Sequence, residues 1–274
     1  MAETCYRHPD RETGVSCSSC GRPICPECMT PTPVGMRCPE CSQQRTKVTR
    51  GVGEASLGSA APATFVLIAL NVAAFVAEIA TGSGGFSIST TDRLPFDFGL
   101  FGPWVAEGEW YRLLTSGFLH GGLIHIGFNM FALYFLGRIL EPAIGTPRFL
   151  AVYFVSLLGG SLGALLLDPN ALTLGASGAV FGIFAATFVI ARRRGLDAFA
   201  SSIGMIILLN LVISITVPNI SLGGHLGGLV AGGACALIIV AGEQGMLGRN
   251  RLPAELAAMI ALGIVTFAAA ITVA

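Results

Sequence analysis

Apolar residues gather into seven stretches of this chain, at roughly 61–80, 123–140, 149–167, 176–191, 203–217, 222–241 and 253–274, with polar breaks between them. A helix needs about 20 apolar residues to cross a hydrocarbon core ~30 Å thick. Each stretch therefore predicts a membrane-spanning helix, the fifth short at its edges and the third rich in Gly159, Gly160 and Gly163. The predicted fold class is an all-α polytopic membrane protein: a six-helix core over 61–241, then a loop and a seventh helix over 242–274. Residues 1–44 lack any such run and read as a small separate domain, and 45–60 read as a basic flexible linker with Arg45, Lys47, Arg50, Gly51, Gly53 and Gly58. A long segment near 81–121 carries Phe96, Phe98, Phe101, Trp104, Trp110 and Tyr111. Such aromatics favour the membrane interface, which predicts a partly embedded loop.

Composition strengthens the membrane reading. Charged residues make up 12% of the chain and hydrophobic ones 53%, with a mean hydropathy of +0.72, against about 25% charged in soluble domains. The formal net charge is zero, so no nucleic-acid partner is expected. Residues 1–30 are polar and cysteine-rich with no apolar core, so no signal peptide is expected. Basic residues alternate between loops: Arg45, Lys47 and Arg50 before the first stretch, Arg138 and Arg148 around the second break, Arg192, Arg193 and Arg194 after the fourth stretch, Arg249 and Arg251 before the last. Loops around Asp168-Pro169-Asn170 and Pro218-Asn219 have none. By the positive-inside rule this predicts a multi-pass protein of the plasma membrane, its N-terminus cytoplasmic and its C-terminus outside.

Seven of the eight cysteines precede residue 42, in the ordered pairs Cys5-x2-His8, Cys17-x2-Cys20, Cys25-x2-Cys28 and Cys38-x2-Cys41; Cys235 stands alone in an apolar stretch. Eight ligands suffice for two tetrahedral zinc ions, and Gly21, Pro23, Pro26 and Pro39 suit the turns that would point each pair at one ion. With few large apolar residues available, metal would supply the stability of this segment. An odd cysteine count paired with a histidine argues against a disulfide framework, as does the reducing cytoplasm. The segment resembles B-box and RING-like modules, whose ligand pairs interleave. That resemblance implies one zinc held by Cys5, His8, Cys25 and Cys28 and the other by Cys17, Cys20, Cys38 and Cys41; two sequential sites stay open from spacing alone. Such zinc is structural, with no position left for water, and a cytoplasmic protein partner is the expected use of the module. No cofactor is expected for catalysis.

Within the apolar stretches a polar side chain is costly and marks a functional site by default. Asn129 lies about seven residues into the second span, Ser177 about two into the fourth and His225 about four into the sixth. At 1.5 Å per residue these spans, all running inward, place the three roughly 5–12 Å below the outer surface. His125 and Asn129, four apart, share a helix face. A serine hydroxyl becomes a nucleophile when a base takes its proton, and His225 can be that base. His125, Asn129 and the Ser177 backbone N–H can donate to an oxyanion at a helix N-terminus. Glu141 and Asp168 are the nearest carboxylates and sit at span ends, so the proposal is a Ser-His dyad. Gly224-x3-Gly228 and Gly228-x3-Gly232 read as packing faces that bring the sixth span close to the fourth.

Together Trp110-Tyr111-Arg112, His120, His125-x3-Asn129, Gly137-x3-Glu141, Gly175-x-Ser177-Gly178 and Gly224-His225-x2-Gly228-x3-Gly232 resemble the rhomboid family of intramembrane serine proteases over about 61–241. The resemblance implies Ser177 as nucleophile, His225 as general base, His125 and Asn129 as oxyanion donors, and Arg112 and Glu141 as structural braces. It further implies cleavage of transmembrane protein substrates near the outer surface of the bilayer, beside small residues. Two departures stand out: Tyr111 separates Trp110 from Arg112, and Phe181 fills a position where a tyrosine often stacks on the histidine. Two other readings compete with the protease, a non-catalytic adaptor that binds transmembrane helices and a transporter with a histidine proton relay. The transporter is weakened by the lack of mid-bilayer acids and of an inverted repeat.

Overall fold

A computed structural model describes residues 3–32, 35–43, 60–82, 92–248 and 250–274. They fall into two units, one within Met1–Gly51 and one within Val52–Ala274. The 45–60 linker lies almost wholly outside the described residues, as does the start of the long aromatic segment.

In the first unit β1 (Glu3–Thr4) pairs antiparallel with β2 (Glu12–Thr13), and β3 (Thr30–Thr32) with β4 (Gly35–Arg37) in a hairpin that sets Pro31 opposite Met36. A 3-10 turn at Pro26–Cys28 and the short helix α1 (Pro39–Gln43) complete it. Among the described residues Ile24 is its one large, fully buried aliphatic side chain; six cysteines form the rest of the core, with Tyr6 and Met29 packed against them. Sulfur takes the place of a hydrocarbon core.

The second unit is helical. Its long helices are α2 (Pro62–Thr81), α6 (Leu123–Ile144), α7 (Thr146–Leu167), α8 (Ser177–Arg193), α9 (Asp197–Thr216), α10 (Leu222–Glu243) and α11 (Arg251–Val273), and each coincides with one predicted span. Six are long and apolar enough to cross a membrane. The exception, α8, has 17 residues, at the lower limit of a spanning helix. It is also the most enclosed, with residues from Gly178 to Thr187 all buried, so it meets other helices where its neighbours leave apolar side chains exposed. Between α2 and α6 come three short helices, α3 (Arg93–Phe98), α4 (Gly102–Ala106) and α5 (Arg112–Thr115), and a 3-10 turn at Ser116–Phe118.

Specific polar contacts pin the helix ends. Pro62 opens α2 where no backbone N–H is needed. The next two N–H groups, of Ala63 and Thr64, donate to the Glu141 carboxylate at 3.0 and 2.8 Å, joined by the hydroxyls of Thr64 and Thr146. A carboxylate buried at a helix N-terminus thereby satisfies orphan donors and the helix dipole together. Gly145, at φ +86°, joins α6 to α7 in one residue, a backbone conformation that favours glycine. Arg194 donates to the Ala143 carbonyl and pairs with Glu243, gathering the ends of α6, α8 and α10. Buried Glu255 of α11 pairs with Arg148 of α7.

Small residues decide which helices touch. A Cβ on Gly159 would sit 2.7 Å from the Gly227 carbonyl oxygen, and one on Gly163 3.0 Å from the Gly227 Cα. On the other side of α10, Gly228 meets Gly178, and Gly232 meets Gly182, too closely for any side chain. α10 is therefore wedged between α7 and α8 by backbone contact, as small-residue seams allow in membranes.

Candidate functional site

At the end of the bundle opposite Arg194, the loop before α8 is tied to the aromatic segment. Leu100 and Thr173 exchange backbone hydrogen bonds at 3.0 and 2.8 Å, Gly102 donates to Pro169, and Gly175 donates to the Ser116 carbonyl at 2.9 Å. Gly175 has φ +125°, and a Cβ there would lie 2.7 Å from both Cε1 and Nε2 of His125 and 3.8 Å from Ser177 Oγ. Glycine is required twice over, by conformation and by the imidazole against it. The same position brings Ser177 and His125 together, although they belong to different helices.

Ser177 is the first residue of α8, half-buried, and its backbone N–H belongs to a first turn that has no intrahelical acceptor. His225 lies in the first turn of α10, capped by Ser221, whose hydroxyl accepts from Gly224 N–H at 3.1 Å. Its ring stacks on Phe181 with centroids 4.0 Å apart and planes at 13°. Phe181 is one turn beyond Ser177 on the same face of α8. The departure noted in the sequence thus keeps its packing role: the aromatic platform for His225 is present without a hydroxyl. No hydrogen bond joins Ser177 Oγ to His225 among the described residues. Catalytic pairs commonly tighten only with substrate bound.

The hydrogen bonds assign the tautomers. Gly121 N–H donates to His125 Nδ1 at 3.3 Å, so Nδ1 carries the lone pair and Nε2 the hydrogen. His125 therefore presents a donor beside Gly175. His225 is the reverse: Nδ1 lies 2.6 Å from Ser214 Oγ, and that hydroxyl already donates to the Asn210 carbonyl at 2.7 Å. A carbonyl only accepts, so with the hydroxyl hydrogen on Asn210 the His225 Nδ1 donates and Nε2 keeps its lone pair. One imidazole offers a donor and the other an acceptor. Asn129 is buried and gives one amide hydrogen to the His125 carbonyl at 3.0 Å, keeping the second. A cavity of about 20 Å³, room for one water, lies beside Ser177 and is lined by Ser116, Ser161 and Ser221.

Three participants were missed in the sequence. Glu78, buried on α2, accepts the His120 backbone N–H on both carboxylate oxygens at 3.2 and 3.1 Å. A lone acid in an apolar stretch is a signal that could have flagged it. Trp104, not Trp110, covers Arg112, its ring 4.3 Å from the guanidinium, while Trp110 is exposed. Arg112 in turn bonds Glu109 and the carbonyls of Phe96 and Gly99 at 2.8 Å, bracing the aromatic segment. Ser214 has no signal beyond being one serine in a helix.

In the other unit the ligand atoms of Cys5, His8, Cys25 and Cys28 lie within 4.8 Å of one another, as do those of Cys17, Cys20, Cys38 and Cys41. The structure brings together the interleaved sets. His8 Nδ1 stands 3.9, 3.3 and 3.5 Å from the sulfurs of Cys5, Cys25 and Cys28, and Cys20 and Cys38 sulfurs are 3.9 Å apart. Metal–sulfur bonds of about 2.3 Å in a tetrahedron put ligand atoms roughly 3.7 Å apart, so both clusters could hold a metal ion. The Cys38 backbone N–H donates to Cys17 sulfur at 3.3 Å and holds that thiol down to about 6. Burial and the neighbouring Cys25 and Cys5 push Cys28 up to about 11, and the Cys38 thiol followed by burial does the same to Cys41. Thiolates this close repel one another unless a cation lies between them. All eight cysteines are unbridged.

A serine and two histidines sunk at one end of an apolar helical bundle define a multi-pass membrane protein with the parts of a hydrolytic site. The chain belongs to the rhomboid family: residues 107–242 match the rhomboid domain. It is 34% identical over 208 residues to the rhomboid protease GluP of Bacillus subtilis (strain 168), covering 74% of this chain and 40% of that protein. It is 37% identical over 132 residues to the putative rhomboid protease YdcA of the same organism, 47% of this chain and 66% of the relative. RHOMBOID-like protein 5 of Arabidopsis thaliana matches at 38% over 136 residues, 47% of this chain and 43% of that protein. The chain thus spans less than two thirds of the length of each of these relatives.

Proposed function

We propose that this chain is an intramembrane serine endopeptidase that hydrolyses peptide bonds of transmembrane proteins near the outer membrane surface. The observation that carries the reading is the convergence at the start of α8, where Gly175 sets His125 close to Ser177 and Phe181, one turn on, stacks on His225. His125 Nε2–H is a donor, as an oxyanion requires, and a His225 that donates Nδ1–H to Ser214 has Nε2 free to accept, as a general base requires. Ser177 Oγ attacks the scissile carbonyl carbon while His225 Nε2 takes its proton. The oxyanion is met by His125 Nε2–H, the spare Asn129 amide hydrogen and the Ser177 backbone N–H. The imidazolium then protonates the leaving amine, and water hydrolyses the acyl-serine with the same base.

Arg192 and Arg193 at the end of α8, Arg148 at the start of α7 and Arg251 at the start of α11 fall at the end of the bundle opposite the site, which supports a cytoplasmic N-terminus and an active site facing outward in the plasma membrane. In the cysteine unit we assign two structural zinc ions, from the three-sulfur-plus-imidazole and four-sulfur donor sets. We assign its use to docking a cytoplasmic protein, separate from catalysis.

Purified chain in detergent should cleave a model transmembrane substrate and react with a fluorophosphonate at Ser177. Ser177→Ala and His225→Ala should each abolish cleavage, by about 10³-fold or more, with helical content unchanged. Full cleavage by Ser177→Ala would sink the mechanism. A wild-type protein that binds transmembrane helices yet never labels would point to the adaptor instead.

A further inference from the structure

We infer that Ser214 is a positioning residue that fixes the tautomer and ring angle of His225, an inference that rests on the protease reading above. The buried residues of α9 are Ala200, Ile203 and Ser214. Much of the remaining surface of this helix is exposed apolar side chain, including Ile213 and Ile215 on either side of Ser214. One of the few positions at which α9 meets the bundle is therefore a hydroxyl. That hydroxyl is spent on one contact outside its own helix, the 2.6 Å bond to His225 Nδ1.

A serine in a membrane helix ordinarily satisfies itself on the carbonyl four residues back. Ser214 does so on Asn210, and this bond gives the arrangement its direction. The hydroxyl has one hydrogen, and we assign it to the carbonyl. Only the lone pairs of Oγ remain for the imidazole, so the chain of bonds runs Nδ1–H to Oγ–H to O=C. It leaves Nε2 unprotonated and ready to accept the Ser177 proton. When Nε2 accepts that proton, the positive charge spreads to Nδ1–H, and the bond to Oγ strengthens as a charged donor's does. Among the described residues no carboxylate bonds to the ring. A buried carboxylate at this depth would be costly, whereas a neutral hydroxyl orients the ring without that penalty. Phe181 holds the ring plane from one face; a stacked ring can still turn within its plane, and the Ser214 bond removes that freedom.

The test uses full-length protein with ring-15N histidine, in detergent, the His225 signal assigned with His225→Gln. Wild type should show His225 as the Nδ1–H form, and Ser214→Ala should show a mixture of both tautomers. With a model transmembrane substrate, Ser214→Ala should lower kcat by about tenfold to a hundredfold, part of what a general base contributes, leave KM within about twofold, and slow fluorophosphonate labelling of Ser177 in step. Ser214→Thr, which keeps a hydroxyl that can bond to Asn210, should recover most of kcat. The inference is overturned by an Nε2–H signal in wild type, by an undiminished kcat in Ser214→Ala, or by a loss that tracks a lower unfolding temperature and is not recovered by threonine. If wild type neither cleaves nor labels, the protease reading fails, and the tautomer comparison still reports on the bond by itself.

Discussion

His120 sits in the turn before α6, fully buried, with Nδ1–H pointed at the Phe118 carbonyl 3.3 Å away and Nε2 unpartnered. Its ring meets that of His125 edge-on at 5.1 Å. Burial first, and the neighbouring imidazole second, push its pKa down to about 3, from an ordinary value of 6.5. The folded protein therefore binds this proton more weakly than the unfolded chain does. The stability linked to the group is intact above pH 6.5 and drains away as pH falls from there toward 3. At pH 5 the loss is about 2 kcal/mol, from about 1.36 kcal/mol per pH unit over the interval below 6.5. Unfolding of wild type and His120→Gln in detergent, at pH 7 and pH 5, checks this. Wild type should lose about 2 kcal/mol more than the variant on acidification, and equal losses would refute the assignment. His120 was legible in the sequence only as part of a resemblance. Its partner Glu78 is 42 residues away, and a contact at such separation leaves no local pattern to read.

The elements themselves were open to reading because hydropathy is a local property: α2, α6, α7, α8, α9, α10 and α11 each fall on an apolar stretch. How they pair was only half legible. Gly224, Gly228 and Gly232 lie four apart and announce a close-packed face. That Gly223 and Gly227 form a second face, against Gly163 and Gly159 of α7, is a fact about three helices at once. The site depended on the same limit. Ser177, His125 and His225 could be placed at one depth by counting, but Ser214 enters through the packing of α9, whose scattered serines and Asn210 do not specify which side chain turns inward. The seam of α10 on α8 makes a sharp comparison. A Cβ on Gly232 would run into the Gly182 backbone, while one on Gly233 meets only the Ala185 methyl at 3.9 Å. Gly232→Ala should cost about 1–3 kcal/mol, as overpacking does, and should slow fluorophosphonate labelling of Ser177, because α10 carries His225 away from α8. Gly233→Ala should change stability by less than about 0.5 kcal/mol and leave labelling intact. Thermal unfolding and labelling rates of the two variants decide it; equal behaviour would mean the seam does not set the distance between the helices.

The two units of the molecule are stabilised by different means, and each should fail under a different insult. The helical unit buries apolar side chains and closes backbone against backbone, neither of which involves metal. The cysteine unit has little apolar core beyond Ile24, Tyr6 and Met29, and its buried sulfurs are a liability unless cations hold them. Its ligands must be deprotonated to bind, so metal affinity falls as acid protonates the thiols. Elemental analysis of full-length protein at neutral pH should find two zinc ions per chain. Cys25→Ser should reduce this to one, since the cluster of Cys17, Cys20, Cys38 and Cys41 shares no ligand with it. A strong chelator should open residues 1–44 to protease while fluorophosphonate labelling of Ser177 and cleavage of a simple transmembrane substrate continue. Deleting residues 1–44 should likewise spare that cleavage. Loss of cleavage on metal removal would show that the metal unit takes part in catalysis, and a metal content near zero would mean that the two clusters stand on hydrogen bonds such as Cys38 N–H to Cys17 sulfur alone.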